Sequence, residues 1–458
     1  MIRNIYILIN LYLSLIIFVR GQSVPTEISK HPFSIIENEN PHSLFQGGGF
    51  TYNQSQPCLT QERRSEIKLK LKSNIELLKQ QGILNQNDFN QNRSSFVWPL
   101  RASDEYDVYS YYGISNFVDQ NPNFPDMLLD YNCGNRTYDS QNGYNHSGTD
   151  IFTWPFSWHI MNNDEVEIIA SAEGIIIGKD DGNYDQNCDY NDLYWNAVYI
   201  LHNDGSMGWY GHMKSNSLTD KIVGDTVIAG EYLGIVGSSG NSTTPHLHFE
   251  IYGNIDDDGL IDPFQGDCNS LIEESWWINQ KPYYDSAINR IMTHSQAPEF
   301  YGDDCAEPAN INEENIFKPN NYIFFAAYYR DQLAGQLSTW YVIDPDGNTY
   351  LEWYQEVDDY EHYQNSYWFN VGWFHNSVSL GEWKFMILYE EQFYEHNFTI
   401  FSMYGDLNFD SILNVLDIVL AVNMVMEDDY NEIANMNEDD QLNVLDLMIL
   451  ANIILAQP

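Results

Sequence analysis

The chain has 458 residues, with 20 Lys and Arg against 66 Asp and Glu, a formal charge of −46. That length exceeds one compact core and predicts about two to four domains. The acidic excess leaves no basic face for phosphate, which excludes a nucleic-acid partner; it repels anionic polymers and suits calcium binding and solubility in salt.

With 15% aromatic and only 19% charged residues, the chain reads as folded, β-rich and exported. Arg3 precedes an apolar run over residues 5–19, followed by Gly21 as a small-residue cleavage site. The run has signal-peptide length and is too short to span a bilayer comfortably. Residues 1–21 are therefore expected to be a signal peptide, with a retained anchor as the alternative, and no later segment is apolar enough to cross a membrane. Residues 22–95 are expected to be an N-terminal helical region or prosegment. Within it Gln46-Gly-Gly-Gly49 reads as a flexible break, and residues 61–81 carry Ile67, Leu69, Leu71, Ile75, Leu77 and Leu78 on one amphipathic helix.

The third region, residues 96–290, holds short apolar runs punctuated by glycine at 166–169, 174–177, 197–201, 223–229, 233–236 and 247–251. These predict short strands of an antiparallel β core. Its most informative stretch is His246-Leu-His248-Phe-Glu-Ile251, preceded by a loop of glycine and hydroxyl residues. In a strand residues i and i+2 share a face, so the two imidazoles project together while Leu247 and Phe249 face the core. Upstream stand His146-Ser-Gly-Thr-Asp150 and Tyr210-Gly-His212. Nitrogen and oxygen ligands that leave one coordination position to water are what a zinc hydrolase needs.

This ordered set resembles the signature of the lysostaphin/LytM-type zinc endopeptidases, His-x-x-x-Asp, a lone His, then His-x-His, over roughly residues 96–265. The resemblance implies that His146, Asp150 and His248 hold one zinc, while His212 and His246 serve catalysis as acid–base or oxyanion groups. It implies hydrolysis of peptide bonds in bacterial cell-wall (peptidoglycan) cross-links, or of glycine-rich proteins. A non-catalytic surface or scaffold adaptor is the reading from another class. Gly148 and residues 238–244 leave room either for a substrate backbone or for tight turns. His202 reads as structural, and His159 has no partner in the pattern.

The five cysteines, Cys58, Cys133, Cys188, Cys268 and Cys305, suit two bridges and one spare thiol in an exported chain, without fixing which pair. Cys58 is expected in an ordinary disulfide ahead of its other reading, a thiolate that caps the zinc.

Beyond linker signals near 295–308, residues 306–402 show aromatic strand patterns and the turn Asp344-Pro-Asp-Gly347. They predict an immunoglobulin-like β-sandwich, with His362, His375 and His396 at its surface. Residues 404–458 carry an internal repeat, Leu413-Asn-Val-Leu-Asp417 against Leu442-Asn-Val-Leu-Asp446. Each copy overlaps a run of oxygen donors: Asp406, Asn408, Asp410, Ile412 by its carbonyl, Asn414 and Asp417; then Asn435, Asn437, Asp439, Gln441 by its carbonyl, Asn443 and Asp446. Such spacing converges on a hard cation. The pair resembles a type I dockerin, a small α-helical calcium-binding module, which implies one or two Ca2+ and a cohesin-like or cell-surface partner. Ser411 and Asp440 stand where that loop usually has glycine, and Asn435 where it usually has aspartate. The fold class expected overall is mostly β: an antiparallel peptidase core, a sandwich and a helical tail.

Overall fold

The computed structural model describes residues 33–37, 45–52, 56–84, 93–253, 259–300, 310–357 and 360–457, and the expected signal peptide and Cys305 lie outside them. Strand predominates over helix. Among the described residues no helix is long and apolar enough to cross a membrane.

The region expected to be the peptidase core is a continuous antiparallel sheet. Its strand order runs Thr226–Val227, Gly174–Asp180, Ala197–His202, Met207–Gly211, His246–Tyr252, Thr149–Thr153, Tyr112–Asn116. Strand His246–Tyr252 is central, paired with Thr149–Thr153 on one side and Met207–Gly211 on the other. Its alternation is the one expected from the sequence. Leu247, Phe249 and Ile251 enter the main hydrophobic cluster with Ile151, Val198, Ile200 and Tyr210, and a small sheet of Leu100–Ala102, Val166–Ile169 and Tyr232–Ile235 contributes its inner face to the same core. His246, His248 and Glu250 face the other way.

Helix α1, Gln61–Gln80, is capped by the Thr60 side chain and packs on strand Gly174–Asp180. Its buried face is Arg64, Leu71, Ile75 and Leu78, whereas Leu69 and Leu77 are exposed, against expectation. The reason is helical spacing: Leu71, Ile75 and Leu78 follow one another at i+4 and i+3 on a single stripe, and Leu69 and Leu77 lie off it. Leu71 fits where Gly178 carries no side chain, since a Cβ there would meet Leu71 Cδ2 at 2.4 Å.

Two further five-stranded sheets bury a common aromatic core that includes Phe325, Tyr329, Trp340, Trp383, Phe385 and Phe398. The aromatic patterns between 306 and 402 are strands, Tyr322–Leu333, Leu337–Ile343, Thr349–Glu356, His362–Trp373, Gly381–Tyr389 and Gln392–Ile400. One sheet also recruits Ala287–His294 and Gln46–Tyr52 from outside that range. The triple glycine is thus a strand and not a flexible break. It pairs with His362–Trp373, and a side chain on Gly47 or Gly49 would collide with the Tyr367 carbonyl or the Tyr363 ring.

The β units are joined by buried ions. Arg136 pairs with Asp331 at 3.0 Å, and Arg330 pairs with Asp285 at 3.0 Å while donating to Asn289 Oδ1 at 2.8 Å. His362 is drawn into the same set, donating Nε2–H to Asp331 at 2.8 Å, and is not the surface residue expected. Cys133 and Cys268 form a disulfide, Cys188 is disulfide-bonded as well, and Cys58 is a buried thiol outside any bridge.

His294 gives the fold a pH dependence. It is buried between the Ile311 carbonyl, to which Nδ1 donates at 2.8 Å, and the Tyr328 hydroxyl at 2.8 Å from Nε2. Burial first, then Arg290 and His396, lower its pKa from 6.5 to about 4. The folded state therefore binds fewer protons than the unfolded state between those values. Its contribution, on the order of 3 kcal/mol, is present above pH 6.5 and is lost as pH falls towards 4. Urea unfolding at pH 7.5 and 4.5 should show a loss of stability that His294→Asn reduces by about that amount. An equal loss in the variant would assign the acid sensitivity elsewhere.

Candidate metal centre

Asp150 and His248 are cross-strand partners in register, and Phe152 faces His246 in the same ladder. His146 lies just ahead of strand Thr149–Thr153, its amide bonded to the Tyr138 carbonyl and its ring stacked on Tyr138 with centroids 4.5 Å apart. The register brings His248 Nδ1 to 2.6 Å from Asp150 Oδ1 and 3.4 Å from His146 Nε2, and His146 Nε2 to 3.1 Å from Asp150 Oδ2. Cys58 joins them, with Sγ 3.4 Å from His248 Nδ1. One donor atom from each of these four buried residues lies within 4.8 Å of the others.

Each imidazole in the cluster is oriented by its other nitrogen. His146 Nδ1 donates to the Phe117 carbonyl at 2.7 Å, and His248 Nε2 donates to Glu250 Oε1 at 2.7 Å. The tautomers that remain turn a lone pair towards the cluster, as outer hydrogen bonds do for metal-bound histidine. Glu250 is fixed in turn by Arg64 Nη2 at 2.8 Å and by the Tyr252 hydroxyl at 2.7 Å. Burial opposes the charge on Glu250, but Arg64 prevails and holds the carboxyl well below its usual range. Burial likewise opposes charge on Asp150 and His146; their mutual attraction prevails, lowering Asp150 and lifting His146 to about 9.

His212 and His246 stand beside this cluster with ring centroids 4.4 Å apart. His212 Nδ1 donates to the Ser239 carbonyl at 2.6 Å, and His246 Nδ1 donates to the Thr244 carbonyl at 2.8 Å. The Nε2 atom of each is buried without a hydrogen bond. His212 has φ 62, a left-handed backbone that is sparse for a residue with a side chain and concentrates at functional sites. Burial, then the neighbouring His212, lowers His246 to about 4.

The loop before the central strand therefore does more than turn. Ser239 and Thr244 orient the two histidines, and Asn241 Nδ2 donates to the Pro57 carbonyl at 3.1 Å. The residues flanking Cys188 pack on this loop, where Gln186 and Asp189 bridge to Ser238 and Ser242. Gly148 is filled by a protein group, since a Cβ there would lie 2.8 Å from the His248 ring. His202 is buried away from the cluster, with Nδ1 donating to the Glu173 carbonyl at 3.1 Å and Nε2 without a hydrogen bond.

All five site residues read from the sequence thus come together, while Glu250 and Arg64 had not been singled out. Glu250 was legible: it shares the face of His248 by strand alternation. Arg64 carried no signal, because an arginine on a charged helix reads as a solvated residue. Cys58 belongs to the cluster and not to a disulfide.

The tail repeats its geometry as it repeats its sequence. Asp417 Oδ1 accepts from the amides of Leu407 and Asn408 at 2.9 and 3.3 Å, and Asp446 Oδ1 accepts from Met436 and Asn437 at the same distances. Asn414 and Asn443 each cap the helix that follows, Val415–Glu427 and Val444–Leu455, in a reciprocal box with Asp417 and Asp446. Ser411 and Asp440 adopt φ 66 and 58, the left-handed turn where glycine is usual.

Over 110 residues the chain is 34% identical to glycyl-glycine endopeptidase ALE-1 of Staphylococcus capitis, covering 24% of this chain and 25% of that protein. Over 83 residues it is 39% identical to DD-carboxypeptidase/endopeptidase Mpg of Neisseria meningitidis serogroup B, covering 18% and 16%. The chain thus spans a quarter or less of these relatives. The crystallised catalytic domain of lysostaphin from Staphylococcus simulans aligns at 25% identity over 36% of this chain and 96% of that one, with a TM-score of 0.20. Residues 145–263, which supply His146, Asp150, His212, His246 and His248, match the model of peptidase family M23.

Proposed function

We propose that this protein is a secreted zinc metalloendopeptidase that cleaves peptide cross-links of the bacterial cell wall. The observation that carries the reading is the pair of buried, unbonded Nε2 atoms on His212 and His246 beside a compact set of nitrogen, oxygen and sulfur donors. The donors suit zinc, which takes histidine, carboxylate and thiolate in tetrahedral sites. When bound, zinc supplies Lewis acidity, polarising the scissile carbonyl and acidifying water. His146, Asp150 and His248 would hold it. His246 and His212 present lone pairs towards the same pocket, so one can accept the proton of the attacking water and the other can deliver a proton to the leaving amine or steady the oxyanion. Export is supported by the disulfides, which persist in oxidising compartments.

The endopeptidase names of the relatives support short peptide substrates, and glycine-rich proteins are the second substrate class. The charge of −46 would be repelled by anionic wall polymers, which keeps that class in play. Incubation with purified peptidoglycan and with a glycine-rich protein, followed by mass spectrometry of the fragments, tests the reading. Zinc-dependent cuts in one or both are expected. No cut in either, by the wild type or by Cys58→Ser, would favour a non-catalytic adaptor.

For the tail the proposed role is calcium-dependent docking to a cohesin-like or cell-surface partner, with a calcium-folded end cap as the second reading. Two donor loops with matching hydrogen bonds, each leading into a capped helix, support it. Clustered carboxylates repel without a cation, so circular dichroism of residues 404–458 should gain helical signal on calcium addition and lose it in chelator. A spectrum unchanged by calcium would remove calcium from the account.

A further inference from the structure

We propose that Cys58 is a fourth protein ligand of the metal, and that the segment carrying it keeps the site closed by holding the position water would take. The inference rests on the metallopeptidase reading above. A catalytic zinc keeps three protein ligands and an open position, whereas four protein ligands make a closed site. Tetrahedral bonds of the usual zinc lengths put donor atoms roughly 3.3–3.6 Å apart. Cys58 Sγ is 3.4 Å from His248 Nδ1, and His146 Nε2 is also 3.4 Å from that atom, so the sulfur meets the spacing already set by the nitrogens.

The thiol is held there from several sides. Tyr138 places its hydroxyl 2.8 Å from Sγ, and Tyr144 places its own at 3.7 Å. The preceding carbonyl, on Pro57, receives Asn241, a residue of the loop that orients His212 and His246. Six residues on, Arg64 is buried on Glu250, the partner of His248. The segment 56–64 therefore engages the cluster, the residue behind it and the catalytic loop together. His212 and His246, buried and aimed at the same space, have no route to a peptide substrate while it remains. Activity requires this segment to leave, and the thiolate to be exchanged for water.

The test uses the full chain loaded with cobalt in place of zinc. Visible d–d bands report metal held by the histidines and aspartate, and near-ultraviolet thiolate-to-cobalt charge transfer reports sulfur. Wild type is expected to show both. Cys58→Ser should keep the d–d bands, lose the charge transfer, and cleave a glycyl peptide at least about tenfold faster in its zinc form. Should that variant fail to fold, an aromatic disulfide reagent applied to the native wild type gives the second reading: the thiol should be protected with metal bound and labelled after chelation. Wild type with d–d bands but no charge transfer, or a thiol labelled equally in both states, overturns the proposal and leaves the metal reading intact. Absence of d–d bands overturns both.

Discussion

His248→Ala is expected to leave the purified protein without stoichiometric zinc and without peptidase activity. His248 is the hub of the cluster: its Nδ1 lies within 3.4 Å of donors on Asp150, His146 and Cys58, while its Nε2 anchors on Glu250. It is buried in the middle of the central strand, so no neighbouring histidine can swing into its place without breaking the ladder to Thr149–Thr153 or Met207–Gly211. Removal deletes a ligand and also takes a hydrogen-bond partner from two buried carboxylates, Asp150 and Glu250. Elemental analysis should find about one zinc per chain in the wild type and little in the variant. Glu250→Gln is a second probe: it weakens the hydrogen bond that orients the ring and also removes the carboxylate paired with buried Arg64, and it should lower metal affinity by roughly 10–100-fold. Full zinc occupancy in His248→Ala would show the ligand assignment to be wrong.

The site was legible in the sequence because its residues cluster in short motifs on strands, where alternation alone fixes a face. His246 and His248 are two apart, and that spacing determines their common side before any fold is known. What closes the site was harder to read. Cys58 stands about ninety residues before His146, and a cysteine in an exported chain is equally competent as a disulfide partner; only the three-dimensional contacts separate the two fates. The triple glycine at 47–49 gave the wrong signal for a related reason. Glycine normally marks freedom, but here it marks a strand pressed so closely on its neighbour that no side chain fits at Gly47 or Gly49. The recruitment of Ala287–His294 and Gln46–Tyr52 into one sheet was equally hidden, since strand patterns give type and face but not long-range partner.

His246→Ala and His212→Ala are expected to lower the rate on the order of a hundredfold or more, as loss of a general acid or base does, while zinc stays bound. Neither residue belongs to the donor group formed by Cys58, His146, Asp150 and His248. Both rings are locked from behind, by the carbonyls of Ser239 and Thr244, and each keeps its Nε2 buried and without a hydrogen bond beside the donor cluster. For His246 the sign of the shift matters. Burial and the adjacent His212 lower its pKa to about 4, so the ring stays neutral, and able to accept a proton, well below the pH at which a solvated histidine would be charged. Activity should therefore persist to pH 5 as far as His246 is concerned, and an acid limb above that must come from another group. Steady-state kinetics on a defined glycyl peptide, with metal content measured on the same samples, separates the roles. A His246→Ala protein that keeps both its zinc and its rate would dissolve the division of labour, and one that loses its zinc would move His246 into the ligand set.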